Sequence, residues 1–204
     1  MSLPPSPPRR EIHRRVVDMQ AYAREDGLYD VEAHLIDTKP FLFESLGRPL
    51  PVPPGQALHD LWVRLTVDDD FVVRDICAAS DITPYDVCKQ AETTLRVLIG
   101  ERIARGWSAT VKQRLRGAAS CTHLMEVLMP LATTAMQGIR GLRPAHLRKH
   151  GGDGPPPQLD SCYAYGRSRE MVMRFWPAYY VAPNLPSDAD DAAGTAPRDP
   201  AAPA

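Results

Sequence analysis

The chain has 204 residues, with 24 Lys+Arg against 25 Asp+Glu for a net charge of −1. That length suits one domain with tails, and the charge balance excludes a whole-molecule field for nucleic acid or an anionic membrane. No run approaches the roughly 20 apolar residues of a membrane span and no apolar leader core opens the chain, so a cytoplasmic protein is expected. There the four cysteines, Cys77, Cys88, Cys121 and Cys162, are expected as free thiols or thiolate ligands.

Proline, 21 residues in all, is concentrated near the ends and in two internal loops. Residues 1–8 and 182–204 are too poor in apolar side chains to offset chain entropy and are expected to be disordered. Between them, 9–181 is expected to form a single α+β domain with a Pro/Gly-rich, partly basic loop over 144–158. Strand-forming residues flank Asp26-Gly27, which predicts a two-residue hairpin between strands over 12–25 and 28–37. On the second strand Tyr29, Val31, Ala33 and Leu35 share one face, and Asp30, Glu32 and His34 the other.

Leu61, Val63, Leu65 and Val67 alternate with polar positions, and Asp68-Asp69-Asp70 turns the chain into a partner strand over 71–77. Thr83-Pro84 then reads as an N-cap and first helical residue, with Val87, Ala91, Leu95 and Leu98 as the buried stripe and Gly100 as the stop. Residues 108–116 read as a short helix. Those from Cys121 to about Gly138 read as a longer one that buries Leu124, Leu128, Leu131 and Ala135 and is kinked by Pro130. Two short strands over 162–165 and 171–176 complete the expectation: an antiparallel sheet of two or three hairpins packed against three helices.

Cys88 and Cys121 both fall near helix starts, where unpaired N–H groups stabilise a thiolate. His123 adds an imidazole, and His59 or Asp60 a further donor, giving Cys88, Cys121, His123, Asp60 and His59 as candidate ligands for zinc or iron. The bland counterpart is that free cysteines commonly only pack. A second cluster, Asp26, Asp30, Glu32, His34 and Asp37, is assigned to the polar face of the first hairpin. Glu32 and His34, two apart on a strand, are candidate acid and base, although a solvated strand face has the same composition. Trp176, Tyr179 and Tyr180 beside Arg174 suit either ring stacking or edge packing. No serine-hydrolase elbow, phosphate loop, dinucleotide fingerprint or HExxH is present.

The stretches Arg24-Glu-Asp-Gly-Leu-Tyr-Asp-Val-Glu-Ala-His-Leu-Ile-Asp-Thr-Lys39, His59-Asp-Leu-Trp62, Cys121-Thr-His-Leu124 and Leu159-Asp-Ser-Cys162 resemble a bacterial family, domain of unknown function 2889, over about residues 9–181. That resemblance implies no activity. In its last motif a histidine is expected where Tyr163 stands. The order of elements over 58–138 is also similar to U-type iron–sulfur cluster scaffold proteins. This likeness implies that Cys88, Cys121 and Asp60 match three scaffold ligands, with Leu58 or His59 in place of the remaining cysteine.

Three functions are open on these residues. One is a metal- or thiol-dependent protein with a Cys/Cys/His site; another is a non-catalytic accessory or protein-interaction module. The third is a metal-free acid–base enzyme acting on a small molecule. A small molecule or a protein is the expected partner, with nucleic acid and membrane set aside.

Overall fold

The strictest pattern in the sequence, apolar residues at 29, 31, 33 and 35, becomes the centre of the sheet. In the computed structural model, which describes residues 3–44, 50–142, 154–156 and 158–183, these residues lie on strand β2 (Tyr29–Thr38), buried at every second position. Strands β1 (Arg14–Ala23), β3 (Ala57–Val67) and β4 (Val73–Ile82) complete an antiparallel meander in the order β1-β2-β3-β4. Leu61, Val63, Leu65 and Val67 of β3 pair with Leu35, Ala33, Val31 and Tyr29, so the apolar rows of the two central strands merge into one face. The expected α+β architecture is what forms.

Both tight turns use three connecting residues. Arg24 N–H donates to the Leu28 carbonyl at 2.9 Å and Gly27 closes the turn at φ 85°, which replaces the expected two-residue loop. The β3–β4 turn repeats the device, with Asp68 N–H donating to the Val72 carbonyl at 3.1 Å and Phe71 at φ 63°. A first turn followed by one left-handed residue is the usual three-residue hairpin, and glycine adopts that conformation at least cost.

The apolar face is covered by helices. A 3-10 helix (Asp86–Leu98) lies along β4 and buries Leu95 and Leu98 at the three-residue spacing of that helix type. Two expectations fail here. The N-cap position falls on Tyr85, whose carbonyl accepts from the Thr83 hydroxyl at 2.9 Å, and Val87, assigned to the buried stripe, is exposed. Helix α1 (Trp107–Leu115) buries Trp107, Val111 and Leu115, and the Trp107 indole N–H donates to the Leu128 carbonyl at 3.2 Å. Helix α2 (Thr122–Leu142) crosses β1, β2 and β3 and runs through Pro130, burying Leu124, Leu128, Leu131 and Ala135 as the periodicity predicts.

The chain divides into two compact units, Met1–His146 and Leu147–Ala204, a boundary that falls inside the expected 9–181 span. In the second unit the expected strands are helical. Residues Tyr163–Tyr165 form a 3-10 turn, and helix α3 (Glu170–Phe175) is followed by another 3-10 turn at Pro177–Tyr179. On α3 only Val172 is buried, while Met173 and Phe175 are exposed, so there is no alternating face for a sheet to bury. Trp176 packs its ring against Tyr165 at 5.4 Å, and Arg174 lies over Phe175 at 5.5 Å. Residues 3–8 carry no helix or strand; the tail from 184 onward and most of the 144–158 loop lie outside the described residues. Among the described residues no helix is long and apolar enough to cross a membrane.

Candidate metal centre

The hairpin registers place three charged or titratable side chains on one rung of the helix-covered face. Arg15 pairs across β1–β2 with Asp37, and Asp37 pairs across β2–β3 with His59. Asp37 thus continues the row of Tyr29, Val31, Ala33 and Leu35 and is buried, with 1% of its side chain exposed. This corrects its assignment to the polar face of the hairpin. Strand parity, not residue type, decides which way a side chain points.

A buried carboxylate is stable only when its lone pairs are met. The Arg15 guanidinium donates from Nε to Oδ1 and from Nη2 to Oδ2, both at 2.8 Å. His13 Nε2 lies 3.2 Å from Oδ1, and His59 Nδ1 lies 3.0 Å from Oδ2. Burial pushes the Asp37 carboxyl up, but the bonds and charge of Arg15, with the nearby His59 and His13, outweigh it and hold it below the usual carboxylate range. It is an anion in a dry place.

The start of α2 lies over this rung. His123, in its first turn, brings its ring to 3.9 Å from that of His59, centroid to centroid, at an angle of 37°. Burial, and then the neighbouring His123, push His59 below the usual imidazole value, more than Asp37 raises it. His59 is therefore a neutral ring at neutral pH, the form that ligates metals or accepts a proton. One helical turn on, Glu126 accepts from Arg15 Nη1 at 3.1 Å, so α2 also braces the far side of the guanidinium.

Cys121 sits immediately before α2, and its carbonyl accepts the Met125 N–H at 3.0 Å, the first bond of the helix. Its Sγ is 3.9 Å from His123 Nδ1. Burial raises this thiol, but His123 and the backbone N–H groups of Leu124 and His123 lower it further, leaving it more acidic than an ordinary cysteine.

Among the described residues, donor atoms of Asp37, His59 and His123 all lie within 4.8 Å of one another, and they form the one group of three or more that does so. Of the expected ligands, His59 and His123 are in this group and Cys121 is beside it. Cys88 and Asp60 are outside it. Cys88, half-buried in the first turn of the 3-10 helix, donates its N–H to the Tyr85 carbonyl at 3.0 Å. Asp60 is on the opposite face of the sheet, 2.7 Å from His34 Nε2.

Glu32 and His34, the expected acid and base, share that open face as the alternation requires. His34 stacks on Trp62 at 3.7 Å with an angle of 11°, and Glu32 accepts from Arg64 Nε at 2.7 Å. A shallow depression of about 270 Å³ lined by Glu32, Trp62, Arg64 and Cys77 adjoins them. Around the buried carboxylate, the sequence places Asp37 only in the open-face cluster and does not mark Arg15, His13 or Glu126. Two signals were available for the first two: Asp37 has the parity of the apolar row, and Arg15 lies as far before Asp26 as Asp37 lies after it.

The fold and site define a class: an α+β protein with an antiparallel meander, bearing a half-buried Asp/His/His group with a cysteine beside it where a helix start meets the end of the sheet. Residues 13–137 match the family described as protein of unknown function DUF2889. The chain belongs to that family, and the matched region contains Asp37, His59, Cys121 and His123. No curated protein and no solved structure matches the chain.

Proposed function

We propose that this protein binds one divalent transition-metal ion, zinc or iron, through Asp37, His59 and His123. The observation that carries the reading is the convergence of these three donors within 4.8 Å from β2, β3 and α2. Two donors each about 2.1 Å from one ion stand roughly 3.0–3.4 Å apart. The 3.0 Å between Asp37 Oδ2 and His59 Nδ1 fits that edge. A carboxylate has about four lone-pair positions. Arg15 occupies two and His13 a third, so the position facing His59 is the one that would turn to an ion. Two imidazoles with a carboxylate suit zinc or iron(II) rather than magnesium or calcium, which take oxygen ligands.

Metal analysis of protein purified without a histidine tag tests this. Close to one zinc or iron per chain is expected, falling at least tenfold in His59→Ala and His123→Ala. Stoichiometry well below one after incubation with either metal, or full retention in both variants, would sink it.

A second reading draws on the His34–Asp60 bond beside the Trp62 depression. It has His34 oriented by Asp60 as a base, with Glu32 as the acid. It is metal-independent, so activity found on any small molecule must survive a chelator and be lost in His34→Ala. Activity that fails with chelation removes it.

A further inference from the structure

Cys121 is the donor that the trio leaves out; it packs half-buried against the core and also has its sulfur beside His123. We infer that Cys121 is the fourth protein ligand of the site, so that the ion is held by Asp37, His59, Cys121 and His123. The inference rests on the metal reading above. Its first support is a length. Sulfur at about 2.3 Å and nitrogen at about 2.0 Å from one tetrahedral ion stand roughly 3.6 Å apart. Cys121 Sγ and His123 Nδ1 are 3.9 Å apart, close to that edge and long for a hydrogen bond.

The second support is how the cysteine is held. Its carbonyl is tied to Met125 N–H at 3.0 Å, and the preceding Ser120 hydroxyl is bonded to Thr94 of the 3-10 helix at 2.7 Å. These bonds hold the Cys121 carbonyl and the Ser120 side chain beside His123; Sγ is not within 4.8 Å of all three donors, so ligation requires a turn about the Cα–Cβ bond, which leaves both of those bonds in place. The third support is charge. A helix start presents N–H groups that repel a cation and favour an anion. Without an intervening anion, the start of α2 is a poor neighbour for a metal ion. A thiolate at Cys121 stands between the two and satisfies both.

The consequence is a closed site. Four protein ligands with none left for water are the pattern of structural zinc, whereas catalytic zinc keeps an open position. The ion would tie β2 and β3 to the first turn of α2, and the thiolate would select zinc or iron strongly over manganese.

Cobalt(II) substitution of the full chain tests this with a spectrum. Wild-type protein is expected to show both the visible bands of four-coordinate cobalt and a near-ultraviolet thiolate-to-cobalt charge-transfer band. Cys121→Ser should lose the charge-transfer band while still binding cobalt. Serine is a favoured residue before a helix, so the fold should be kept, and circular dichroism checks it. Cys88→Ser should keep the band. Cobalt bound to wild type without the band overturns the Cys121 inference and leaves the three-ligand reading standing. Loss of the band in Cys88→Ser but not in Cys121→Ser overturns it as well. Failure of wild type to bind cobalt at all overturns both.

Discussion

Two aspartate–histidine pairs cross the seam between β2 and β3, one on each face of the sheet. Asp37 and His59 are directly opposed and bonded at 3.0 Å; His34 and Asp60 are bonded diagonally at 2.7 Å. Bond length does not separate them, but surroundings do. The Asp37 side chain is 1% exposed and shared among Arg15, His13 and His59, under the start of α2. That of Asp60 is 25% exposed, on the uncovered face beside Trp62. The same two residue types thus make a buried charged site on one face and a partly exposed pair on the other. What decides is which side of the sheet the helix covers.

The largest expected effect separating the two pairs is on metal. A ligand that binds only the folded state at about 100 times its dissociation constant stabilises it by about 2.7 kcal/mol. Zinc at that excess should raise the midpoint of thermal unfolding in wild type and in His34→Ala, and leave it unmoved in His123→Ala. An equal response in His34→Ala and His123→Ala would erase the distinction between the faces.

Next is the carboxylate itself. Removing one partner of a buried ion pair costs about 3–5 kcal/mol because the other charge is stranded. A third of the Arg15 side chain is exposed, so water recovers part of that loss. Asp37→Asn is therefore expected to cost about 2 kcal/mol in urea unfolding of the metal-free protein, and Asp60→Asn less than about 1. Similar costs for the two would break the comparison.

How far these pairs could be read from sequence turns on parity and register. The alternation of Tyr29, Val31, Ala33 and Leu35 identified β2 and its buried side, and the same count carried two residues further reaches Asp37. Its chemical type points to the polar face, but its position in the strand is the stronger constraint. His59 has the parity of Leu61, and its imidazole marks it as a candidate ligand. That Asp37 would meet it follows from the β2–β3 register, which depends on a long connection whose length fixes nothing. The helix start at Cys121 was legible from the pattern that follows it. Which rung it would cover was not, because α2 is placed by packing against three strands at once. The strands expected at 162–165 and 171–176 failed for a related reason: short apolar runs without alternation do not distinguish strand from helix.

Acid should narrow the difference between the faces. The folded-state pKa of Asp37 lies below its unfolded value, so the stabilisation is fully present above the unfolded value and is lost as pH falls through the folded one. Unfolding free energies of wild type and Asp37→Asn are expected to differ most above about pH 5 and to draw together progressively as pH falls below about 4 and through the folded value. A constant difference down to pH 2 would mean that Asp37 stabilises by packing and not by charge.

The smallest effect is expected on the open face, and it tests whether geometry alone makes a strong pair. Arg64 donates from Nε to Glu32 Oε1 at 2.7 Å, which is shorter than either Arg15–Asp37 bond. Yet half of the Arg64 side chain is exposed, against a third of that of Arg15, and Glu32 is 25% exposed where Asp37 is 1%. Water competes for both partners, and both long side chains lose rotamer freedom on pairing. Arg64→Ala should therefore cost less than about 1 kcal/mol and less still in high salt. Arg15→Ala strands Asp37 in a place that water does not reach and should cost about 2 kcal/mol or more. A reversed order in salt-dependent urea titrations would show that bond geometry governs these pairs. The expected order shows that the helix cover does.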